Sequence, residues 1–483
     1  MNKLKAFSLV LLLLCCVGKL RAEDVLYSPN EKFDLRNGSY SVIGKVNGLV
    51  YTYRGSPDGY YLDAYDDQMM KKATVVLDFI YGKVVDTRFI TYDDKIMFLY
   101  QTIEGAKVIQ NAVLLDDKGR IRKRPIIIGE TKLGLFGSTK ASFDIAVSED
   151  KNKIAVYALS DHGRTVEASI TWLTDTMTVL ARGRASYNAD NEISEGEAMI
   201  DNNGKLYLPV YTPIGNRNFA DRVWILTIQP SDHRFQSHEM PLRTMYASGI
   251  FAKLDNSNFT ISAAGFYSDK KNGSYEGVLY TKYDIVADSF VSSKLLPFDE
   301  DLRNATGERN KKNAFNDFQV RQIIVKEDGG FVLVTEDYYV STRSAYAPGF
   351  GYYSFYYPTM SSSVREYHYN DILVLSYDAE GRGQWRSFVR KEQYSQEDGG
   401  LFSSYALVNT GGALGFMYND FNSIHSRIQL AGVADDGHVD VHTLQSHSDD
   451  ADWLPRSAKQ VGSREIIVPC LRKRQICFAK VVF

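Results

Sequence analysis

The feature that most constrains this chain is a unit that recurs eight times: a short polar turn, an apolar strand that usually ends near a tyrosine, and later a second polar turn. The first turns are Asn47-Gly48, Asp93-Asp-Lys95, Asp150-Lys-Asn-Lys153, Asn202-Asn-Gly204, Asp255-Asn-Ser-Asn258, Asp328-Gly-Gly330, Asn409-Thr-Gly-Gly412 and Gly462-Ser-Arg464. The strands that follow cover 49–53, 96–100, 154–159, 206–211, 259–267, 331–338, 413–418 and 465–471. Second turns come at 66–67, 116–119, 174–177, 230–233, 286–288, 378–381 and 435–437, and the chain ends before an eighth. Runs rich in Val, Ile, Tyr and Phe between Gly, Asn and Asp turns, with almost no helical apolar spacing, predict an all-β fold.

Five of the seven intervals between units run 46 to 57 residues, and those of 72 and 81 hold the charged segment 299–312 and the aromatic insertion after Tyr338; the trimmed period is close to the roughly 40 to 50 residues of a four-stranded propeller blade. Each small sheet is apolar on both faces and buries them only by stacking on neighbours. The expectation is therefore a β-propeller of seven or eight four-stranded antiparallel blades, seven if the first unit is irregular. Two β-sandwiches would also give short strands, but they need no such long repeat. The last unit has three strands, near Ala458, Ile466 and Ile476, so Asp24-Val-Leu-Tyr-Ser28 is expected to supply the fourth and join the two chain ends in one sheet.

The first 22 residues read as a secretory signal: basic Lys3 and Lys5, an apolar run from Ala6 to Gly18, and a cleavage point after Ala22. That run is too short to span a bilayer, which takes roughly 20 residues. No transmembrane segment is expected in the mature chain, 23–483, read as one propeller domain. A lipid anchor on Cys15 or Cys16 stays open, although Leu14 stands where a bacterial lipobox has a small residue. Few cysteines and a short basic signal favour a bacterial periplasm, outer membrane or exterior, where the sequons at Asn37, Asn258, Asn272 and Asn304 would stay bare. Losing Lys3, Lys5, Lys19 and Arg21 takes the net charge from −3 to −7, which argues against a nucleic-acid partner.

Cys470 and Cys477 are the cysteines of the mature chain. A two-residue turn at Lys473-Arg474 would pair Arg472 with Gln475, Leu471 with Ile476 and Cys470 with Cys477. A cross-strand disulfide and two packed free thiols are both consistent with that register.

The segment Asp371-Ile-Leu-Val-Leu-Ser-Tyr-Asp-Ala-Glu-Gly-Arg-Gly-Gln-Trp385 resembles the outer hairpin of quinone-dependent dehydrogenase repeats. The other units lack the tryptophan that recurs in that family, so no quinone, and no other cofactor, is expected. The same segment from Tyr369, with Lys391-Glu-Gln393, Ser403-Ser-Tyr405 and Tyr418-Asn-Asp420, resembles an uncharacterised family of secreted bacterial β-propellers over about a quarter of the chain. That resemblance implies the fold and no mechanism.

The strongest candidate for function is the insertion 338–369, rich in tyrosine and serine. It is read as a loop joining an inner strand to the next. Tyr346, Tyr352, Tyr353, Tyr356, Tyr357 and Tyr367 are its candidate ligand-binding residues, because flat amphipathic rings stack on sugars or apolar groups while hydroxyls adapt their hydrogen bonds. The competing reading is a long hairpin that extends its blade. Glu336, Asp337 and Asp420, placed at inner-strand ends, are the carboxylates that would serve a glycoside hydrolase or lyase, although Asp and Asn also close turns. His438, Asp440 and His442 share a strand face but read as exposed polar alternation, and no metal site is expected. The expected function is a non-catalytic binding or scaffold protein for a protein or glycan, with the polysaccharide enzyme as the alternative.

Overall fold

The computed structural model describes residues 24–132, 142–161, 164–215, 219–344, 363–421, 427–444 and 451–483; the expected signal segment lies outside them. Among these residues the structure is strand apart from one α-helix, Glu300–Ala305, and two short 3-10 turns. No helix among them is long and apolar enough to cross a membrane.

The strands form seven antiparallel sheets. The nine-stranded one, over 194–297, consists of two meanders joined through the bridge Ala220↔Ala247, the first having its edge strand broken into Ser194–Glu195 and Met199–Ile200, so the described residues build eight meanders. They occupy 39–76, 83–132, 144–188, 194–239, 246–297, 318–389, 406–443 and 452–482. In the first seven, spatial order follows chain order. This is the expected β-propeller architecture, all-β with small antiparallel sheets. Second strands such as Lys95–Glu104 are buried on both faces, which is why they read as continuous apolar runs, whereas fourth strands such as Ile121–Lys132 are largely exposed.

The eighth meander takes its fourth strand from the other end of the chain. Asp24–Tyr27 pairs antiparallel with Gln475–Val482, Asp24 opposite Val482 and Tyr27 opposite Ala479. Two further bonds of 2.9 Å extend the seam, from the Ser28 N–H to the Phe478 carbonyl and from the Phe478 N–H to Ser28 Oγ.

Two compact units divide the described chain. One holds the residues up to Val76 with Asp337–Leu373 and Trp385–Phe483; the other holds Leu77–Glu336 and Val374–Gln384. In the second unit the repeated turns are linked in series. Asn202 Oδ1 accepts the Asp150 N–H at 3.2 Å, and Asn256 Oδ1 accepts the Asn202 N–H at 2.9 Å. Lys151 Nζ also reaches the Thr91 carbonyl at 2.9 Å. The first unit repeats the device, with Gln460 Oε1 accepting the Asn409 N–H and Gln460 Nε2 returning a bond to the Asn409 carbonyl. Asn at these turns thus ties the third meander to the fourth, the fourth to the fifth and the seventh to the eighth, as well as shaping the backbone. Asn47-Gly48 shows the second role, both residues having positive φ as a two-residue hairpin turn requires.

A four-charge network joins the first and eighth meanders. Lys45 Nζ lies 2.8 Å from Asp67 and 3.2 Å from Glu465, while the buried Lys480 Nζ lies 3.3 and 2.9 Å from the same carboxylates. Hydrogen bonding to Lys45 and Lys480 holds the Asp67 carboxyl below its ordinary range. Burial pushes Glu465 up, but bonds from Lys480 and Lys45 outweigh it and the group ends low. A carboxyl whose pKa falls on folding stabilises above its unfolded pKa and loses that contribution as pH falls through the folded value. The midpoint of thermal unfolding should therefore drop below about pH 4.5, the upper end of the unfolded carboxyl range. Lys45→Met should make that acid-side drop shallower; an identical drop in the variant would remove the network as its cause.

Candidate functional site

The sixth meander departs from the others. Its second and third strands, Phe331–Ser344 and Ser363–Tyr377, run 14 and 15 residues, whereas the flanking Phe318–Val325 and Gly383–Val389 have 8 and 7. Alternating Tyr, Val, Ser and Thr after Glu336 favours extended chain, so the strand continues where a loop was expected. The insertion therefore begins and ends as a hairpin stem between second and third strands, in line with the reading of a long hairpin that extends its blade. A short strand, Gln393–Gln396, pairs along this stem with His368 opposite Tyr394 and Glu366 opposite Gln396.

Strand alternation gives the stem two different faces. On the exposed one, Tyr339 stacks on His368 at 4.3 Å and 12°, and His368 meets Tyr394 at 5.2 Å. Glu366 organises the polar edge of this strip, accepting from the Tyr394 hydroxyl at 2.7 Å and from Ser341 Oγ at 3.1 Å. Tyr339 and Tyr394 are 38% and 44% exposed, enough to offer ring surface to a ligand.

The other face is anchored. Tyr369 is buried against Tyr338, and the Arg456 guanidinium lies 5.3 Å over its ring while donating to its hydroxyl at 3.0 Å. Arg456 also donates to the Gly400 carbonyl at 2.6 Å. Gly400 has φ +65°, and a Cβ there would stand 2.3 Å from the Tyr369 ring, so this approach requires glycine. Buried Lys391 donates to the Tyr369 carbonyl and to Gln393, Gln393 reaches the Asn419 carbonyl, and Asn419 donates to the carbonyls of Phe402 and Trp453. Burial raises the Asp398 carboxyl at the edge of this network, against bonds from Ser395 and the Gly400 N–H. The segments singled out in sequence around Tyr369, Lys391, Ser403 and Tyr418 thus converge on the foundation of the stem.

Of the candidate ligand-binding tyrosines, Tyr367 lies half-buried in Ser363–Tyr377; Tyr346, Tyr352, Tyr353, Tyr356 and Tyr357 lie outside the described residues. Tyr339, Glu366 and His368 lie in the insertion 338–369 singled out above, but the register that brings them to Tyr394 is invisible in sequence without the pairing of Gln393–Gln396.

The candidate carboxylates are occupied. Glu336 lies inside its strand, fully buried, with Arg321 Nε and Nη2 each 3.0 Å from its Oε2. Asp337 accepts from Asn370 Nδ2 at 3.2 Å and Asp420 from Gln429 Nε2 at 3.4 Å. Glu336 lies well inside Phe331–Ser344, because that strand runs on past the expected end, whereas Asp420 stands at the end of Ala413–Asp420.

The second unit contains a polar cleft of about 830 Å³ bordered by Glu130, Lys132, Asp144, Glu167, Arg184 and His233. Desolvation raises the Asp144 carboxyl, and the Asp86 and Glu197 carboxylates push it the same way. These residues are contributed by separate strands and turns between 130 and 233, and no local motif marks them. Among the described residues no group of three or more His, Cys, Asp or Glu could hold a metal ion. Cys470 and Cys477 are opposite one another, as the sequence predicts, and both are buried thiols.

No family model matches the chain and no curated protein matches it. Several solved structures share its course at low similarity. Prolyl oligopeptidase B from Galerina marginata is 11% identical, with TM-score 0.41 over 90% of this chain and 55% of its own, so this chain spans about half that protein's length. The polysaccharide lyase Uly1 is 9% identical, with TM-score 0.40 over 96% of this chain and 100% of its own. An uncharacterised protein of Listeria monocytogenes is 10% identical, with TM-score 0.37 over 82% and 96%. At these values the likenesses assign no activity.

Proposed function

We propose that this chain is a secreted, non-catalytic recognition protein of the bacterial envelope or exterior, a single propeller domain over 23–483 that binds its ligand at the hairpin of the sixth meander. The observation that carries this reading is the strip Tyr339–His368–Tyr394, with Glu366 and Ser341 at its polar edge, on a stem whose opposite face is pinned by Arg456 and Lys391. Rings held rigidly with hydroxyls and a carboxylate beside them suit a glycan, which offers apolar C–H faces and hydroxyls together. A protein ligand would use the same strip.

The test is a glycan array and an envelope-protein pull-down with residues 23–483, compared with Tyr339→Ala/Tyr394→Ala. Loss of two ring anchors should weaken binding at least about tenfold, with little change in the thermal midpoint because both rings are exposed. Binding indifferent to the double substitution would sink the proposal.

The second reading, a polysaccharide hydrolase or lyase, is favoured by one observation: Asp144, a carboxyl with raised pKa on a polar cleft, suits a general acid better than the paired Glu336 does. Polysaccharide turnover that disappears in Asp144→Asn would support it.

A further inference from the structure

Cys470 lies in Glu465–Arg472 and Cys477 in Gln475–Val482, the strands joined by Lys473-Arg474. The register runs Arg472↔Gln475, Leu471↔Ile476, Cys470↔Cys477, so the cysteines are directly opposite and their side chains point to one face. That face is the core containing Val468, Ala479, Met417 and Leu430, whereas Leu471 and Ile476 between them and the turn enter the core on the other side. The Cα separation of opposite residues in an antiparallel pair, about 4.5 to 5.5 Å, falls inside the span that a disulfide bridges.

We infer that Cys470 and Cys477 form a cross-strand disulfide during maturation in an oxidising compartment, locking the hairpin onto which the N-terminal strand docks. The inference rests on the secreted reading for its compartment. The two thiols already interact: burial pushes the Cys470 thiol up, while a hydrogen bond from Cys470, opposed by burial and aided by Arg472, holds Cys477 down. Those shifts belong to the packed sheet; in the hairpin before packing either cysteine, for instance Cys477, loses its proton and opens the exchange. It attacks a disulfide of an external oxidant, either a thiol–disulfide oxidoreductase or oxidised glutathione, and expels one thiolate. Cys470 gives up its proton, its sulfur attacks Cys477 in the mixed disulfide, and the second thiolate of the oxidant leaves. Two protein thiols are oxidised and one oxidant disulfide is reduced to two thiols.

Both sulfurs are buried in the folded chain, so the exchange precedes packing of this sheet. Its consequence is register. A one-residue slip would place the two cysteines on opposite faces and send the core residues of Gln475–Val482 outward, and the bond excludes that slip before Asp24–Tyr27 arrives.

The test is the intact mass of the full chain exported through its own signal, denatured and treated with N-ethylmaleimide without reductant. The expected result is no adduct and a mass lower by two hydrogens, with two adducts after reduction. Reductant should also lower the thermal midpoint by a few degrees, and do nothing to Cys470→Ser/Cys477→Ser. Refolding residues 23–483 in a glutathione couple gives the same readout without export, which separates failure of this bond from failure of the secreted reading. Two adducts on the unreduced protein after refolding would overturn the inference.

Discussion

Glu336→Ala should unfold the protein rather than inactivate it. The Glu336 side chain is completely buried and its Oε2 receives both Nε and Nη2 of Arg321, whose side chain is 29% exposed. Removing the carboxylate leaves a guanidinium at the edge of a core with no counter-charge from this residue, and breaking such a pair typically costs about 3–5 kcal/mol. Replacing both partners with apolar residues of similar size, Glu336→Leu with Arg321→Met, should recover much of that loss, because two desolvated charges are removed together. Denaturant unfolding of Glu336→Leu, Arg321→Met and the double variant provides the cycle. A Glu336→Ala protein with an unchanged midpoint would show that the ion pair is dispensable and reopen Glu336 as a functional carboxylate.

Truncation at the N terminus should have an effect of similar size. Starting the mature chain at residue 29 instead of 23 removes Asp24–Tyr27 and with it the fourth strand of the eighth meander. Val25 and Tyr27 pack on the core that holds Trp453, Tyr27 edge-on at 6.2 Å, and Leu26 packs on the core of the first and eighth meanders. Three partly buried apolar side chains at somewhat under 1.5–3 kcal/mol each give a loss of about 3–5 kcal/mol. The truncated chain should also aggregate, because Ala479–Val482, the part of the last strand that Asp24–Tyr27 covers, becomes an open edge. Stability unchanged between the two starting points would mean that the ends do not form a common sheet.

Much of this fold is legible in the sequence because its second strands are buried on both faces. Lys95–Glu104 and Phe331–Leu333 announce themselves as apolar runs, and the turns before them carry Asn, Asp and Gly for both backbone and cross-meander reasons. The donor strand at Asp24 follows from counting, since three strands at one end leave one missing. The cysteine register follows from a two-residue turn. What stays illegible depends on partners distant in sequence. Glu336 looks like a strand-end carboxylate until Arg321 is seen to fork onto it, and Tyr394 looks like a lone surface residue until its strand pairs beside His368. The cleft beside Asp144 collects side chains from strands as far apart as Glu130 and Arg184. Strand length is illegible for another reason: Tyr338, Tyr339 and Val340 belong to a β-favouring run, but the Ser, Gly and Pro beyond them suggest a loop.

The most direct test of the account is amide deuterium uptake of residues 23–483 with and without the glycan or protein that the screen selects. Uptake should slow over 338–344, 363–369 and 393–396, the three strand segments that carry Tyr339, His368 and Tyr394, and remain unchanged around Asp144. Protection confined to the Asp144 cleft, with the hairpin stem unaffected, would contradict it.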